Sequence, residues 1–166
     1  MTDIISNAPL KDEDAVALVE LMFFAYRDFV ADSDGILEGL GFGRAHHRVL
    51  HFVGRDPGMT VAQLLDILRI TKQSLSRVLK DLLEKGYVFQ KAGEADRRQR
   101  LLYLTGSGVS LWQQLIAPQT RRFRRAVADL ESGDATNYRD LLLQLISPEN
   151  RDAAEAWIGQ ARSKSP

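Results

Sequence analysis

Between Thr60 and Gly86 the chain places two helix starts and a helix stop so close together that few folds accept them. Thr60 and Gln63 have the spacing of a capping box, in which each side chain bonds the other residue's orphan backbone amide. The spacing predicts a short helix over Val61 to Leu68, then a tight connection at Arg69-Ile70. Thr71 is a second N-cap, and the helix it opens runs to Lys85 before Gly86 stops it. Two short helices joined by about three residues are a helix-turn-helix pattern. Tyr87 to Lys91 and Leu101 to Leu104 are both strand-like, and Ala92 to Arg100, which contains Gly93, bridges them as a hairpin.

Helix, turn, helix and hairpin in this order predict a winged helix, so the expected class is mainly α with a small β-hairpin wing. The flanks are helical too. Residues 12 to 31 read as a helix apolar on most sides (Val16, Leu18, Val19, Leu21, Met22, Phe23, Phe24, Tyr26, Phe29, Val30), which must pack against a partner as well as its own core. Asp32 to Gly43 carries four glycines and reads as a connection; a helix over Arg44 to Arg55 follows, closed by the turn Asp56-Pro57-Gly58. From Ser107 to about Glu131 apolar residues return at helical spacing, with Pro118 as an expected kink. Ser132-Gly133-Asp134 breaks that helix, and shorter ones are expected at 135 to 146 and 149 to 162. The organisation is one domain over 1–166, with the winged helix at 44–105 and flanking helices at 12–31 and 107–162.

Charge separates the segments. Residues 1 to 42 hold two cations against nine acids, whereas residues 69 to 104 hold nine cations against four, so the middle of the chain is where a polyanion would bind. On the second helix of the pair, Leu75, Val78, Leu79, Leu82 and Leu83 form one stripe. At 100° per residue Gln73, Arg77 and Lys80 fall opposite it within about 60° of arc. Lys72, Arg77 and Lys80 precede the acids Asp81 and Glu84. A helix built for stability alone favours the reverse order, because its N-terminal amides repel cations. DNA explains the placement, since a recognition helix meets base edges and phosphates with its N-terminal half. A solvated face with Arg77–Asp81 and Lys80–Glu84 pairs is the bland reading. The hairpin tip, Glu94 to Arg100, carries Arg97, Arg98 and Arg100, the residue type suited to a narrow minor groove, or else is a charged soluble loop.

At this point the sequence resembles the multiple antibiotic resistance regulator (MarR) family of bacterial transcription factors. The likeness runs through Arg48-Val49-Leu50, Pro57-Gly58, Thr60 to Leu64, Thr71 to Arg77, Leu82 to Gly86, Asp96-Arg97-Arg98 and Leu104-Thr105, about residues 44 to 110. The resemblance implies a homodimer held by the first and last helices, with two winged helices on a pseudo-palindromic operator in double-stranded DNA. It implies that Gln73, Ser74, Ser76, Arg77 and Lys80 face the major groove, and that Lys72 and the wing residues Arg97 and Arg98 also contact DNA, Arg98 in the minor groove. Asp96 would brace the wing against Arg77. The implied function is a ligand-responsive repressor; the alternative is a winged-helix module that binds proteins.

His47 and His51 are four apart and share a helix face, as metal ligands on helices often do. A zinc site needs a third ligand, which the sequence does not place, so the readings are a metal site, a small-molecule pocket, or plain packing or surface histidines. His47, His51, Phe24 and Trp112, with Phe23 and Tyr26 nearby, are the expected lining of a site for a small aromatic effector at the junction of the flanking helices and the winged helix. Gly39-Leu40-Gly41-Phe42-Gly43 follows no strand and reads as a loop rather than a dinucleotide fingerprint. The cluster Arg121, Arg122, Arg124, Arg125 reads either as a solvated face or as a partner for the acidic first helix across a dimer. The chain has no cysteine, which excludes thiolate ligands, thiol nucleophiles and thiol redox sensing. With no Gly-x-Ser-x-Gly, no phosphate loop and no signal-peptide pattern, the expectation is a cytoplasmic protein with no membrane span, no cofactor and no catalytic activity.

Overall fold

The computed structural model describes residues 9–130 and 134–163. Among these residues seven helices and three strands follow in the order α1 (Asp12–Gly39), α2 (Arg44–Arg55), β1 (Met59–Thr60), α3 (Val61–Leu68), α4 (Lys72–Glu84), β2 (Val88–Ala92), β3 (Arg100–Leu104), α5 (Gly106–Ala128), α6 (Asp134–Leu145) and α7 (Pro148–Ser163). The predicted winged helix is present. The break expected at Ser132-Gly133 lies outside the described residues.

Local chemistry sets the boundaries. The Thr60 hydroxyl accepts from the Gln63 amide at 3.2 Å, and the Gln63 side chain accepts from the Thr60 amide at 2.8 Å, completing the capping box of α3. Arg69 turns the chain in the left-handed region (φ 51°), and the Thr71 hydroxyl caps α4 by accepting from the Ser74 amide at 3.1 Å. Thr105 caps α5 through the Gly108 amide at 3.0 Å and donates its own proton to the Gly86 carbonyl at 2.7 Å, which locks the end of α4 to the start of α5. Gly108 sits so close to the Tyr87 carbonyl that a β-carbon would come within 2.0 Å of its oxygen.

One expectation needs correction. The segment after residue 31 is not a connection: α1 continues to Gly39. Val30, Ser33 and Leu37 lie along one buried face of α1, and the Ser33 hydroxyl donates to the Leu115 carbonyl of α5 at 3.0 Å. Gly35 and Gly39 face open space, so each costs helix propensity of about 1 kcal/mol without disturbing packing, and burial of the inner face outweighs it. Pro118 lies inside a helix that continues through it from Gly106 to Ala128.

The sheet has the order β1-β3-β2, all antiparallel, with Met59 opposite Leu102 and Phe89 opposite Tyr103. The sequence reading had only the hairpin; β1 is its third strand. Leu50, Val53, Met59, Leu64, Leu75, Leu82, Leu102 and Leu115 are essentially fully buried and join α2, α3, α4, α5 and the sheet into one core. That core fixes the outward faces of α4 and the wing.

Candidate nucleic-acid interface and effector cleft

Because Leu75, Val78, Leu79 and Leu82 are buried, the opposite side of α4 is necessarily outside. Lys72, Gln73, Ser74, Ser76, Arg77 and Lys80 are all exposed, and no acid occupies the first turn. Lys80 approaches Glu84 at 3.7 Å, but both side chains are well solvated and such a pair contributes little. The Arg77–Asp81 pair of the bland reading is absent: Asp81 is taken by His46. Among the described residues Arg77 makes no ion pair or side-chain hydrogen bond.

The wing tip is closed by its own backbone and one carboxylate. The Gly93 amide donates to the Gln99 carbonyl at 3.1 Å and the Gln99 amide to the Asp96 carbonyl at 3.0 Å. The Asp96 carboxylate accepts from the Arg98 amide at 2.9 Å rather than from Arg77, so its role in this structure is to shape the turn and not to tie the wing to α4. Arg97 and Arg98 are exposed, and Arg100 donates back to the Arg97 carbonyl at 3.1 Å. At the base of the wing Phe89 and Tyr103 stack with ring centroids 5.3 Å apart, and the Lys91 ammonium lies 5.6 Å and 5.2 Å from the two rings. Lys91 is thus a held cation on the wing; its period-two position with Phe89 is the signal that was available.

His46, next to His47 on α2, is structural. Its Nδ1 accepts from the Gly43 amide at 3.1 Å, which leaves the proton on Nε2 to donate to Asp81 at 3.1 Å, and its ring stacks on Phe42 at 4.5 Å. This half-buried link fastens the start of α2 to the back of α4. The His46 position three residues after Gly43 matches a cap spacing, but nothing local announces Asp81.

His47 and His51 do face a cavity, a cleft of about 520 Å³ between α1, α2 and α5. Tyr26, Asp34, Arg44, Phe52 and Gln119 share its wall. Arg44 grips Asp34 through Nη2 at 2.8 Å and Nε at 3.2 Å, which holds the Asp34 carboxyl below the usual carboxylate range and raises the guanidinium's own value. Burial lowers His47 against the opposing pull of Asp34. Burial also pushes His51 down to about 4, with the charges of His47 and Arg55 adding to it. His51 is therefore neutral near pH 7, and its Nδ1 accepts from the Trp112 indole at 3.3 Å.

Trp112 stands behind His51 and is not part of the cleft wall, and Phe24 does not reach the cleft at all. Phe24 and Phe23 are exposed on the outside of α1, Phe24 beneath the Arg27 guanidinium at 5.1 Å. The reason is angular: with α1 held to α5 through Phe29, Ser33 and Leu37, Tyr26 turns inward and Phe23 and Phe24 turn away. Among the described residues no group of three His, Asp or Glu is placed to hold a metal. Among the described residues no helix is long and apolar enough to cross a membrane.

A helix-turn-helix with a cationic second helix and an arginine-tipped three-stranded wing defines a winged-helix protein. The MarR family model matches residues 40–99. The HTH-type transcriptional regulator PetP of Rhodobacter capsulatus is 42% identical over 142 residues, 86% of each chain. The chain belongs to the MarR family of transcriptional regulators. Among solved structures, Streptococcus pneumoniae FabT in complex with DNA superposes with a TM-score of 0.68 at 19% identity, covering 80% of this chain and 94% of FabT. An E. coli MarR variant complexed with operator DNA gives 0.62 at 20% identity, covering 84% and 100%. At these identities the two likenesses speak to the fold.

Proposed function

We propose that the chain is a homodimeric repressor that reads a pseudo-palindromic operator with α4 and the wing, and that a small aromatic ligand in the cleft releases it. The observation that carries this is the exposed cationic face of α4, where Arg77 has no ion pair among the described residues, beside the arginine-tipped wing, both projecting from one core. Lys72, Gln73, Ser74, Ser76, Arg77 and Lys80 take the major groove, and Arg97 and Arg98 the wing's contact with the minor groove, with Asp96 holding that turn. FabT and MarR were both captured on DNA, which supports the same use here. Residues 44–105 form the DNA-binding region, and α1 with α5 to α7 form the dimer. The protein acts by binding rather than catalysis, in the cytoplasm where bacterial DNA is found.

The test is selection of bound duplexes from a random DNA pool, followed by titration of the selected operator. Arg98→Ala should weaken binding by about 1 to 3 kcal/mol with the fold intact, and Arg77→Ala should also relax base preference. Unchanged affinity in both variants at moderate salt would overturn the assignment. A pool that yields no preferred sequence, with capture of an acidic protein instead, would favour the protein-binding reading.

A further inference from the structure

Among the described residues Arg69 is the only non-glycine with a positive φ, 51°. A β-carbon is disfavoured in that conformation, and the residue that ends a helix in it is usually glycine or asparagine. The arginine is explained by what its side chain reaches. Its Nη2 donates to Oδ1 of Asn150 at 2.6 Å, a bond from the turn between α3 and α4 to the first turn of α7.

Asn150 is a fixed acceptor. Its neighbour Arg151 closes the corner between α6 and α7, donating from Nε to the Leu143 and Ile146 carbonyls, each at 3.0 Å, and from Nη2 to the Gln144 carbonyl at 2.8 Å. The last carbonyls of a helix need such donors. Further along α7 the Trp157 ring stands edge-on to Phe52 of α2, with centroids 5.3 Å apart. Asn150, Arg151, Ala154 and Trp157 are half-buried while the residues between them are exposed. At 100° per residue the four fall within about 120° of arc. One face of α7 therefore lies along the winged helix, with one end on the α3–α4 turn and the other, about 10 Å away, on α2. Phe52 also lines the cleft, so that second end rests on the cleft wall.

The turn held by Asn150 leads directly into α4. Arg69 is followed two residues later by Thr71, whose hydroxyl caps α4 through the Ser74 amide. The first buried residue of α4 is Leu75, so the turn before it, which carries Lys72, Gln73 and Ser74, is held through the Thr71 cap and the Arg69 turn.

We propose that α7 is a brace for DNA reading: Asn150 is a positioning residue that fixes the Arg69 turn and, through it, the N-terminal turn of α4. The inference rests on α4 being the recognition helix, and it adds a residue that touches no DNA. The exposed side of α7 stays open for the dimer.

The experiment uses the full-length parent, Asn150→Ala, and Asn150→Asp, which keeps an acceptor oxygen in place. In the free protein, amide hydrogen exchange should be several-fold faster in Asn150→Ala at Arg69, Ser74 and Leu75, whose amides are bonded around this turn, and unchanged at Thr105, bonded to Tyr87 at the base of the wing. Asn150→Asp should exchange like the parent. Binding to the duplex selected from the random pool should weaken about fivefold in Asn150→Ala, the worth of one hydrogen bond, with the salt slope unchanged because no phosphate contact is lost. Unchanged exchange at the three amides in Asn150→Ala would overturn the brace, as would an Asn150→Asp that exchanges like Asn150→Ala. Faster exchange with parental DNA affinity, or with a lowered salt slope, would overturn the positioning role. Faster exchange at Thr105 as well would mean a general loss of stability and overturn it too. A parent that selects no duplex would overturn the DNA reading beneath it, and exchange would still decide whether Asn150 holds the turn.

Discussion

His51 makes folding stability sensitive to mild acid, and the structure sets the sign and the size. Its ordinary value is 6.5 and in the folded chain it is about 4, chiefly from burial between α1, α2 and α5. The unfolded chain therefore binds the proton more readily than the folded one. The stabilisation is complete above pH 6.5 and is lost as pH falls from there through about 4. At 1.36 kcal/mol per unit the full loss is about 3 kcal/mol, and at pH 5 it is about 2 kcal/mol. His47, also lowered by burial, acts in the same direction. Asp34, held low by Arg44, titrates below this window.

The measurement is urea unfolding at fixed protein concentration between pH 7 and pH 5, comparing the parent with His51→Asn. Asparagine places an acceptor oxygen near Nδ1, so the Trp112 indole keeps a partner while the titrating group is gone. Parent stability should fall by about 2 kcal/mol more than that of the variant across this range. Comparing the two removes every other titration they share. Equal pH slopes in parent and variant would refute the argument, because then the His51 proton affinity would not change on folding.

Two further outcomes follow from the same geometry. His46→Ala should destabilise by about 2 kcal/mol, since it removes the cap on Gly43 and the bond to Asp81 together, while His46→Gln, whose amide reaches the Nε2 position, should recover about half; thermal unfolding reads both. Small aromatic acids or phenols titrated against the protein and its operator should lower DNA affinity by a coupling of about 1 to 3 kcal/mol, and His47→Ala and His51→Ala should diminish the response; variants that respond like the parent would move the site elsewhere.

The helix-turn-helix was legible because its signals are local. Thr60 with Gln63 and Thr71 with Ser74 cap their helices within four residues, so spacing alone locates them. The end of α1 was not legible for the opposite reason. Gly35 and Gly39 lower helix propensity wherever they occur, and only the contact of Ser33 and Leu37 with the core, including α5 some eighty residues later, overrides them. A two-residue strand such as β1 has too short a pattern to read, and it exists because Leu101 and Leu102 offer it a ladder.

The same distinction explains the site. Exposure of Lys72, Gln73, Arg77 and Lys80 follows from the apolar stripe of their own helix, so one helix's periodicity was enough. The cleft depends instead on how two helices are rotated against a third. In a segment apolar on most sides, periodicity cannot say which aromatic faces inward, and Tyr26 rather than Phe24 reaches the cavity because Phe29 is pinned to α5. His46, His47 and His51 show the consequence on a single helix. His47 and His51 share the face that closes the cleft, whereas His46, about 100° around from His47, points at Asp81 of the recognition helix. One helix therefore carries the cleft wall on one side and the anchor of the DNA-reading helix on another. The cleft wall and the bond to Asp81 are thus joined through a single helix, α2.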